Sequence, residues 1–162
     1  MLKIKFAKLR PGAVIPSKRD EDSDYDLYAC FDQREMVIPP LSTCLVPTGL
    51  ISAFDKGVGV KFEERGSNSK WCGILQAGVI DSGYRGEWFV AVYNGNDIPV
   101  RITKETSELC RTEDAVLVPY GKALCQFNVR EIPQAEIETV TAEEILAESS
   151  LRGAGALGSS GK

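Results

Sequence analysis

The chain has 162 residues, the size of one ordinary domain, and 43% of them are hydrophobic, enough to bury a core without metals or disulfides. There are 23 acidic and 19 basic side chains, and the net charge of −4 argues against binding to nucleic acid or to an anionic membrane. Histidine is absent. This excludes Ser-His, Cys-His and His-metal mechanisms and leaves carboxylates as the proton acceptors.

Targeting and cysteine patterns both favour a cytoplasmic protein. The sequence contains no apolar run long enough to span a bilayer and no charged-then-apolar signal at its start. The 5 cysteines are scattered and include no Cys-x-x-Cys pair, which disfavours a disulfide framework or a zinc site. We therefore expect reduced thiols.

Short strand-like runs, separated by turn residues, occupy most of the chain without long helical stretches between them. That pattern predicts an all-β fold, a distorted antiparallel sandwich or barrel. The predicted strands are, in chain order, Lys3–Phe6, Tyr25–Phe31, Met36–Ile38, Cys44–Val46, Val58–Phe62, Glu87–Tyr93, Pro99–Thr103, Ala115–Val118 and Ala123–Val129.

The last third of the chain departs from this pattern in three places. Residues 104–114 (KETSELCRTED) are polar and lack periodicity, so we predict an exposed loop. Residues 141–149 are predicted to form one short helix, because Thr141 and Glu144 make a capping box at its start. From residue 151 the composition becomes glycine-rich, which predicts a single domain (1–150) followed by a flexible C-terminal arm (151–162).

The segment 77–87 (AGVIDSGYRGE) is the first candidate for catalysis. Asp81 follows two β-branched residues and precedes a Ser-Gly turn, which predicts a β-hairpin with a carboxylate at its tip. A carboxylate in that position can deprotonate a water molecule. Taken alone, an Asp-Ser-Gly sequence more often caps its own turn.

Other segments have the composition of phosphate-binding or metal-binding loops. The Arg-Gly-Ser sequence at 65–67 combines a bidentate phosphate donor with loop amides, and Gln126 offers a further donor. The glycines and serines after Arg152 can wrap a polyphosphate, and Asp24 and Asp26 form an acidic pair that can lie near a metal. By composition alone, each is more often solvated surface, a strand residue or a frayed terminus.

Taken together and in chain order, these segments resemble the five motifs of the trimeric dUTP diphosphatase (dUTPase) family. The most specific is the third, at residues 78–86 (GVIDSGYRG). The others lie at 24–28, 65–67, 121–126 and 152–161, so the resemblance covers nearly the whole chain. The resemblance rests on the occurrence of all five motifs in this order.

The resemblance implies a jelly-roll β fold and a homotrimer whose active sites are each built from all three subunits. It implies hydrolysis of dUTP to dUMP and pyrophosphate, with Asp81 orienting or deprotonating the water that attacks the α-phosphorus. Mg²⁺ is the implied cofactor, held mainly by the phosphates and touched through water by Asp26, and Tyr84 is expected to pack under the deoxyribose. The implied substrate-binding residues are Arg65, Gly66, Ser67, Gln76, Gly78, Val79, Ile80, Tyr84, Gln126, Arg152, Leu157, Gly158, Ser159 and Ser160.

The sequence departs from the family pattern mainly where the base and one phosphate are contacted. Gly66 stands at the usual serine position, Gln76 is the nearest amide to a usual asparagine, and Leu157 replaces an aromatic residue that stacks on uracil. Residues 104–114 form an insert relative to shorter members of the family. Hydrolysis at the α-phosphate is therefore a firmer expectation than strict selection of uracil.

Two alternatives stay open. A dCTP deaminase could use the same jelly roll, although the sequence offers no carboxylate candidate for that reaction. A nucleotide-sensing protein that binds a regulatory partner, through the loop 104–114, would fit the altered motifs.

Overall fold

The computed structural model describes residues 2–151 and 153, and within them the regular secondary structure is almost entirely β-strand. This confirms the predicted all-β class. The strands are β1 (Ile4–Lys8), β2 (Tyr25–Leu27), β3 (Glu35–Ile38), β4 (Thr43–Pro47), β5 (Leu50–Phe54), β6 (Val58–Glu63), β7 (Gly73–Gln76), β8 (Val79–Asp81), β9 (Phe89–Asn94), β10 (Val100–Thr103), β11 (Cys110–Arg111), β12 (Val116–Pro119) and β13 (Cys125–Glu131). A 3₁₀ helix spans Gly66–Lys70, and the α-helix α1 spans Ala142–Ala147.

The strands form four small sheets that pack around one core. Their strand orders are β1-β5, β11-β12-β10-β3, β2-β13-β6-β8 and β4-β9-β7. The pairs are antiparallel except β10–β12, which is parallel. Strand β6 is central to the candidate site, because it pairs on one side with β13 and on the other with β8.

An aromatic cluster at the centre of the core fixes the chain just after the motif-three segment. Trp88 is fully buried, and its ring lies edge-on to Phe6 and Phe127 with centroids 5.0 and 5.3 Å apart. Its indole N–H donates to Ser52 Oγ over 3.1 Å. Each aromatic pair contributes about 0.5–1.5 kcal/mol beyond its buried area. The cluster therefore holds the end of the 77–87 segment rigidly against the core.

The hairpin predicted over 77–87 is wrong. Strand β8 pairs with β6, whereas β9 pairs with β4 and β7, so the two arms of the turn belong to different sheets. The predicted strand from Glu87 starts only at Phe89, because Glu87 and Trp88 bond instead to the turn between β4 and β5.

Other strand boundaries also differ from the prediction. Strands β5 and β7 were not predicted, although β5 alternates regularly between buried and half-buried residues. The strand predicted over Tyr25–Phe31 stops at Leu27, because Cys30 N bonds to Pro47 O outside any ladder.

The loop predicted at 104–114 is largely exposed, but it contains a short strand. Cys110 and Arg111 form β11, which pairs with the otherwise free edge of β12. At the other end, Lys104 Nζ donates to Phe31 O and Asp32 O over 2.8 and 3.1 Å and lies 4.7 Å from the Tyr120 ring centroid. The insert is thus fixed to the body at both ends.

The predicted helix is confirmed, with a shorter extent. Thr141 caps α1, and the reciprocal bonds of the capping box with Glu144 are both present. The helix has no buried residue, and residues 131–151 are exposed throughout. Among residues 2–151 and 153, no helix has the length and apolar character needed to cross a bilayer.

All five cysteines are free thiols. Cys30 and Cys125 are buried, and burial strongly raises the pKa of the Cys125 thiol, so it stays protonated. Cys72 and Cys110 are exposed.

Candidate active site

Asp81 lies at the end of β8, where the chain turns away from β6. Asp81 is paired with Gly59, and Tyr84 N donates to Asp81 O over 3.0 Å to close the turn. The Asp81 side chain is exposed, and within the described residues it makes no hydrogen bond or ion pair. The carboxylate is therefore free to accept a proton from a water molecule or a hydrogen bond from a ligand.

A cleft of about 180 Å³ opens beside Asp81. Its wall combines one buried and two exposed apolar side chains with two carboxylates and a phenol. A volume of this size is below the roughly 300–1,000 Å³ usual for ligand sites, so the cleft in one chain is small for a complete ligand site. The residues that line it are Val79, Ile80, Asp81, Tyr84, Glu87 and Phe89.

Tyr84 is held in place by backbone contacts. Its hydroxyl donates to Glu87 O over 2.9 Å, while 42% of the residue remains exposed. The ring lies against Gly86, where an added Cβ would come within 2.4 Å of the Tyr84 oxygen. Arg85 completes the turn by donating to Ser82 O and Tyr84 O over 2.7 and 2.8 Å. One face of the phenol is thus available to a ligand.

An ion pair that the sequence did not reveal lies behind this turn. Arg10 Nη1 and Nη2 contact the Glu87 carboxylate at 2.5 and 3.1 Å, and Gly49 N donates to the same carboxylate over 2.8 Å. The hydrogen bond from Arg10 holds the pKa of Glu87 below its usual value, against the opposing effect of burial. No local pattern signals the pair, because its partners are 77 residues apart.

The Glu87 pKa predicts a specific acid sensitivity. The folded-state pKa of Glu87 lies below the ordinary value for a glutamate in the unfolded chain, so the pair's stabilisation is fully present above that ordinary value and is lost as pH falls through the folded-state pKa. We expect the unfolding free energy of the wild type to fall more steeply on acidification than that of Glu87→Gln. Urea denaturation at several pH values between about 3 and 7 measures this. Parallel curves for the two proteins would contradict the assignment.

Asp26 and Arg65 form a bidentate ion pair at the second group of candidate residues. Arg65 Nε lies 2.9 Å from Asp26 Oδ1, and Arg65 Nη2 lies 3.3 Å from Asp26 Oδ2. Gln126 is placed beside them because it pairs with Asp26 on β2 and with Glu63 on β6. The structure therefore brings these three predicted residues together, with Asp26 orienting the Arg65 guanidinium.

These three residues line a polar cleft of about 720 Å³, large enough for a small anionic ligand. Two basic residues that the sequence analysis did not single out also line it. Lys18 Nζ donates to Asp22 O over 2.6 Å, and Arg19 pairs with the Asp22 carboxylate at 2.8 Å. The Lys-Arg dipeptide ahead of the acidic run 20–26 was the available signal.

Gly66 and Ser67 differ in how they face this region. Ser67 Oγ is enclosed and has no hydrogen-bond partner among the described residues. A Cβ added at Gly66 would meet nothing within 4 Å. Neither residue lines the polar cleft. In the single chain, Ser67 therefore does not present its hydroxyl to the cleft, and open space lies at Gly66.

Gln76 and Gly78 lie outside both clefts. Gln76 Oε1 accepts a bond from Thr43 Oγ1 over 2.6 Å at the end of β7. Gly78 O accepts from Phe62 N over 2.7 Å, and an added Cβ at Gly78 would come within 3.0 Å of Phe62 Cβ. Glycine at 78 thus permits the close approach of β6 that sets the direction of β8.

The two groups of candidate residues lie at opposite ends of β6. Asp81 is opposite Gly59, and Gln126 is opposite Glu63. Four residues of an extended strand span about 13 Å. One chain therefore separates the Asp81 carboxylate from the group formed by Asp26, Arg65 and Gln126.

The outer face of the sheet β4-β9-β7 carries several exposed apolar side chains beside the hydrogen-bonded pair Thr43–Gln76. Leu45 is 59% exposed, Ile74 is 49% exposed and Phe89 is 39% exposed. The register places Leu45 beside Ala91 and Ile74 beside Tyr93 on the same side of the sheet. Because Phe89 also lines the cleft at Asp81, this apolar face is continuous with the candidate site.

The remaining predicted substrate-binding residues, Arg152, Leu157, Gly158, Ser159 and Ser160, lie outside the described residues. Among the described ones, no group of three or more His, Cys, Asp or Glu side chains is arranged to hold a metal ion.

Sequence comparisons point to one family. The profile of the dUTPase family matches residues 10–107. A deoxyuridine 5'-triphosphate nucleotidohydrolase of Leptospira interrogans is 30% identical over 164 residues, which cover 99% of each chain. An enzyme of the same name from Wolinella succinogenes is 32% identical, over 99% of this chain and 95% of its own length.

Solved structures with the same fold include two phage proteins. A mutant dUTPase of Staphylococcus bacteriophage 80alpha with dUpNHpp matches with a TM-score of 0.77 at 19% identity, over 99% of both chains. A mutant dUTPase from phage phi11 of S. aureus, described with a structural Mg(II) ion, matches with a TM-score of 0.68 at 18% identity, over 88% of this chain and 99% of that chain. These matches confirm the predicted jelly-roll fold.

Proposed function

Because the chain belongs to the dUTPase family, we propose that this dUTP diphosphatase cleaves dUTP to dUMP and pyrophosphate with Asp81 as the base that activates water. The water oxygen attacks the α-phosphorus, its proton passes to the Asp81 carboxylate, and pyrophosphate leaves. The observation that carries this role is the exposed Asp81 carboxylate, which pairs with no described residue and lies at the wall of the cleft formed by the motif-three turn.

The nucleoside is assigned to the cleft at Asp81. Tyr84 presents one phenol face there, and a sugar packed on it would leave little room for a 2′-hydroxyl. Val79 and Ile80 form the neighbouring wall, where backbone groups can read the base. Gln76 and Leu157 are assigned to contacts with the base, and we expect that a single chain does not complete these contacts by itself.

The triphosphate is assigned to the polar cleft at Arg65 and Gln126. The Arg65 guanidinium uses Nε and Nη2 on Asp26 and keeps further N–H donors for phosphate oxygens. Gly66 is assigned to a close backbone approach to a phosphate, although in one chain it lies beside the cleft and does not line it. Ser67 is also assigned to the phosphates, and its hydroxyl, enclosed and without a partner among the described residues, would have to leave that position to reach them.

Mg²⁺ fits this donor set when it is held mainly by the phosphates. Both Asp26 oxygens already accept bonds from Arg65, and a carboxylate retains further lone pairs for a metal-bound water. Bound Mg²⁺ would neutralise charge on the triphosphate as the α-phosphorus is attacked. This explains how a chain without histidine and with a net charge of −4 handles a polyanion.

A homotrimer would join the two clefts. The roughly 13 Å between them along β6 and the small volume at Asp81 leave the site incomplete in one chain. The apolar outer face of β4-β9-β7 offers a surface on which a second copy can pack. A neighbouring subunit seated there would bring its own polar cleft towards Asp81.

The activity is tested by incubating the protein with Mg²⁺ and each deoxynucleoside triphosphate and measuring pyrophosphate. We expect a strong preference for dUTP. Equal release of pyrophosphate from all the nucleotides would refute the proposed dUTP diphosphatase activity, and so would the absence of any release. Release of ammonia from dCTP would instead support the deaminase alternative.

Removal of the C-terminal arm is expected to lower turnover severely while the assembly survives. Arg152, Gly158, Ser159 and Ser160 are assigned to the phosphates, and a chain ending at residue 151 lacks all of them. We expect kcat/KM for dUTP to fall by at least about a hundredfold. Light scattering checks that the oligomer is unchanged. Full activity in the shortened protein would refute the assigned role.

A further inference from the structure

The Arg10–Glu87 ion pair is built more tightly than a surface salt bridge. The Glu87 side chain is 11% exposed and that of Arg10 is 33% exposed. Besides the two contacts between them, Arg10 Nη1 lies 3.4 Å from Cys30 O, and Gly49 N donates to Glu87 Oε1. Gly49 has φ +68°, and a side chain there would collide with Cys30 Sγ at 2.9 Å. The pair therefore rests against the backbone at Gly49, in a conformation and a space that only glycine allows.

The residues on either side of Gly49 fix the main chain next to Glu87. Trp88 N donates to Leu50 O over 2.8 Å, and Thr48 donates to Trp88 O through its backbone N and its hydroxyl, over 3.2 and 2.8 Å. The position of the Glu87 carbonyl is therefore fixed in two ways: the Glu87 side chain is bound by Arg10 and Gly49, and the backbone of Trp88 is bound by Thr48 and Leu50.

That carbonyl is the group that orients Tyr84. The Tyr84 hydroxyl donates to Glu87 O, and the ring is too exposed to be placed by packing alone. Gly86 keeps the backbone close to the ring without a clashing side chain. A shift of Glu87 would therefore move the Tyr84 ring in the cleft at Asp81.

We propose that the Arg10–Glu87 pair is a positioning element for pentose discrimination: it fixes the Glu87 carbonyl, and through it the Tyr84 ring that excludes a 2′-hydroxyl. This rests on the proposed role of Tyr84 beside the sugar. Arg10 and Glu87 act through Tyr84 and take no part in proton transfer.

The test compares Arg10→Met and Arg10→Lys with the wild type. Lysine keeps the charge but cannot make two parallel bonds to the carboxylate. We expect the ratio of kcat/KM for dUTP to that for UTP to fall by at least about tenfold in Arg10→Met, with an intermediate fall in Arg10→Lys. Arg101→Met removes a similar ion pair, with Glu35, on a different sheet and should leave the ratio unchanged.

A double-mutant cycle separates positioning from general destabilisation. In a Tyr84→Phe background, which lacks the bond to Glu87 O, Arg10→Met should cause little further change in the ratio. The rate of backbone hydrogen exchange at residues 82–86 should rise in Arg10→Met and not in Arg101→Met. This measurement does not depend on which nucleotide the protein hydrolyses.

Two results would overturn the proposal. The first is an unchanged dUTP/UTP ratio with unchanged exchange at 82–86 in Arg10→Met, even if Tm falls. The second is a wild type that hydrolyses both nucleotides equally well. A wild type that hydrolyses neither would instead refute the proposed function, and the exchange experiment would still decide whether the pair holds the turn.

Discussion

Asp81→Asn is expected to lower kcat for dUTP by about three orders of magnitude or more while nucleotide binding survives. Asparagine has the same shape as aspartate, but its amide cannot accept the proton of the attacking water. Because the Asp81 side chain is exposed and bonds to no other described residue, its replacement leaves the turn and β8 intact. The measurement is single-turnover hydrolysis together with the Kd of a non-hydrolysable dUTP analogue.

The control for this variant is Asp114→Asn, which changes an exposed carboxylate in the 104–114 insert. It should retain wild-type turnover. If Asp81→Asn loses binding as fully as rate, the carboxylate has a structural or ligand-anchoring role only. A fall in kcat of less than about tenfold would assign proton transfer to another group.

Leu45→Asp is expected to dissociate the assembly and abolish activity while the individual chain stays folded. Leu45 is 59% exposed in the chain, so its replacement removes little core packing. In an interface formed by the β4-β9-β7 face, the new carboxylate would be desolvated without a partner, which destabilises association by several kcal/mol. Because each chain holds the two clefts apart, we expect kcat/KM to fall by at least about a hundredfold.

Sedimentation, circular dichroism and dUTP turnover measure this variant. Val37→Asp provides the matched control, since Val37 is 42% exposed on β3 in a different sheet. It should keep both the oligomer and the activity. Monomers of Leu45→Asp with full activity would show that one chain carries a complete site, and an intact oligomer would place the interface elsewhere.

The sequence predicted what depends on local patterns. Alternation located most strands, and the capping box placed the start of α1 at Thr141. The resemblance to the family's ordered motifs grouped Asp26, Arg65 and Gln126, which the structure brings together along β2, β13 and β6.

The errors arise where distant parts of the chain decide the outcome. The hairpin at 77–87 was wrong because β8 and β9 find partners in different sheets. The Arg10–Glu87 pair was missed because neither residue has a local signature. The burial of Ser67 Oγ also depends on how the 3₁₀ helix that contains it packs against the body. The spacing between Arg65 and Ser67 in the sequence does not reveal that packing.

The anchored insert offers a site for protein engineering. Lys104 fixes its beginning under Tyr120, and the β11–β12 ladder fixes its end, so residues 105–109 bridge two rigid points. Glu105, Ser107 and Glu108 are exposed in this bridge, whereas Thr106 and Leu109 are half-buried. None of them lines either candidate cleft. Peptide epitopes or affinity tags grafted there should be displayed at the surface without disturbing the residues that handle the nucleotide.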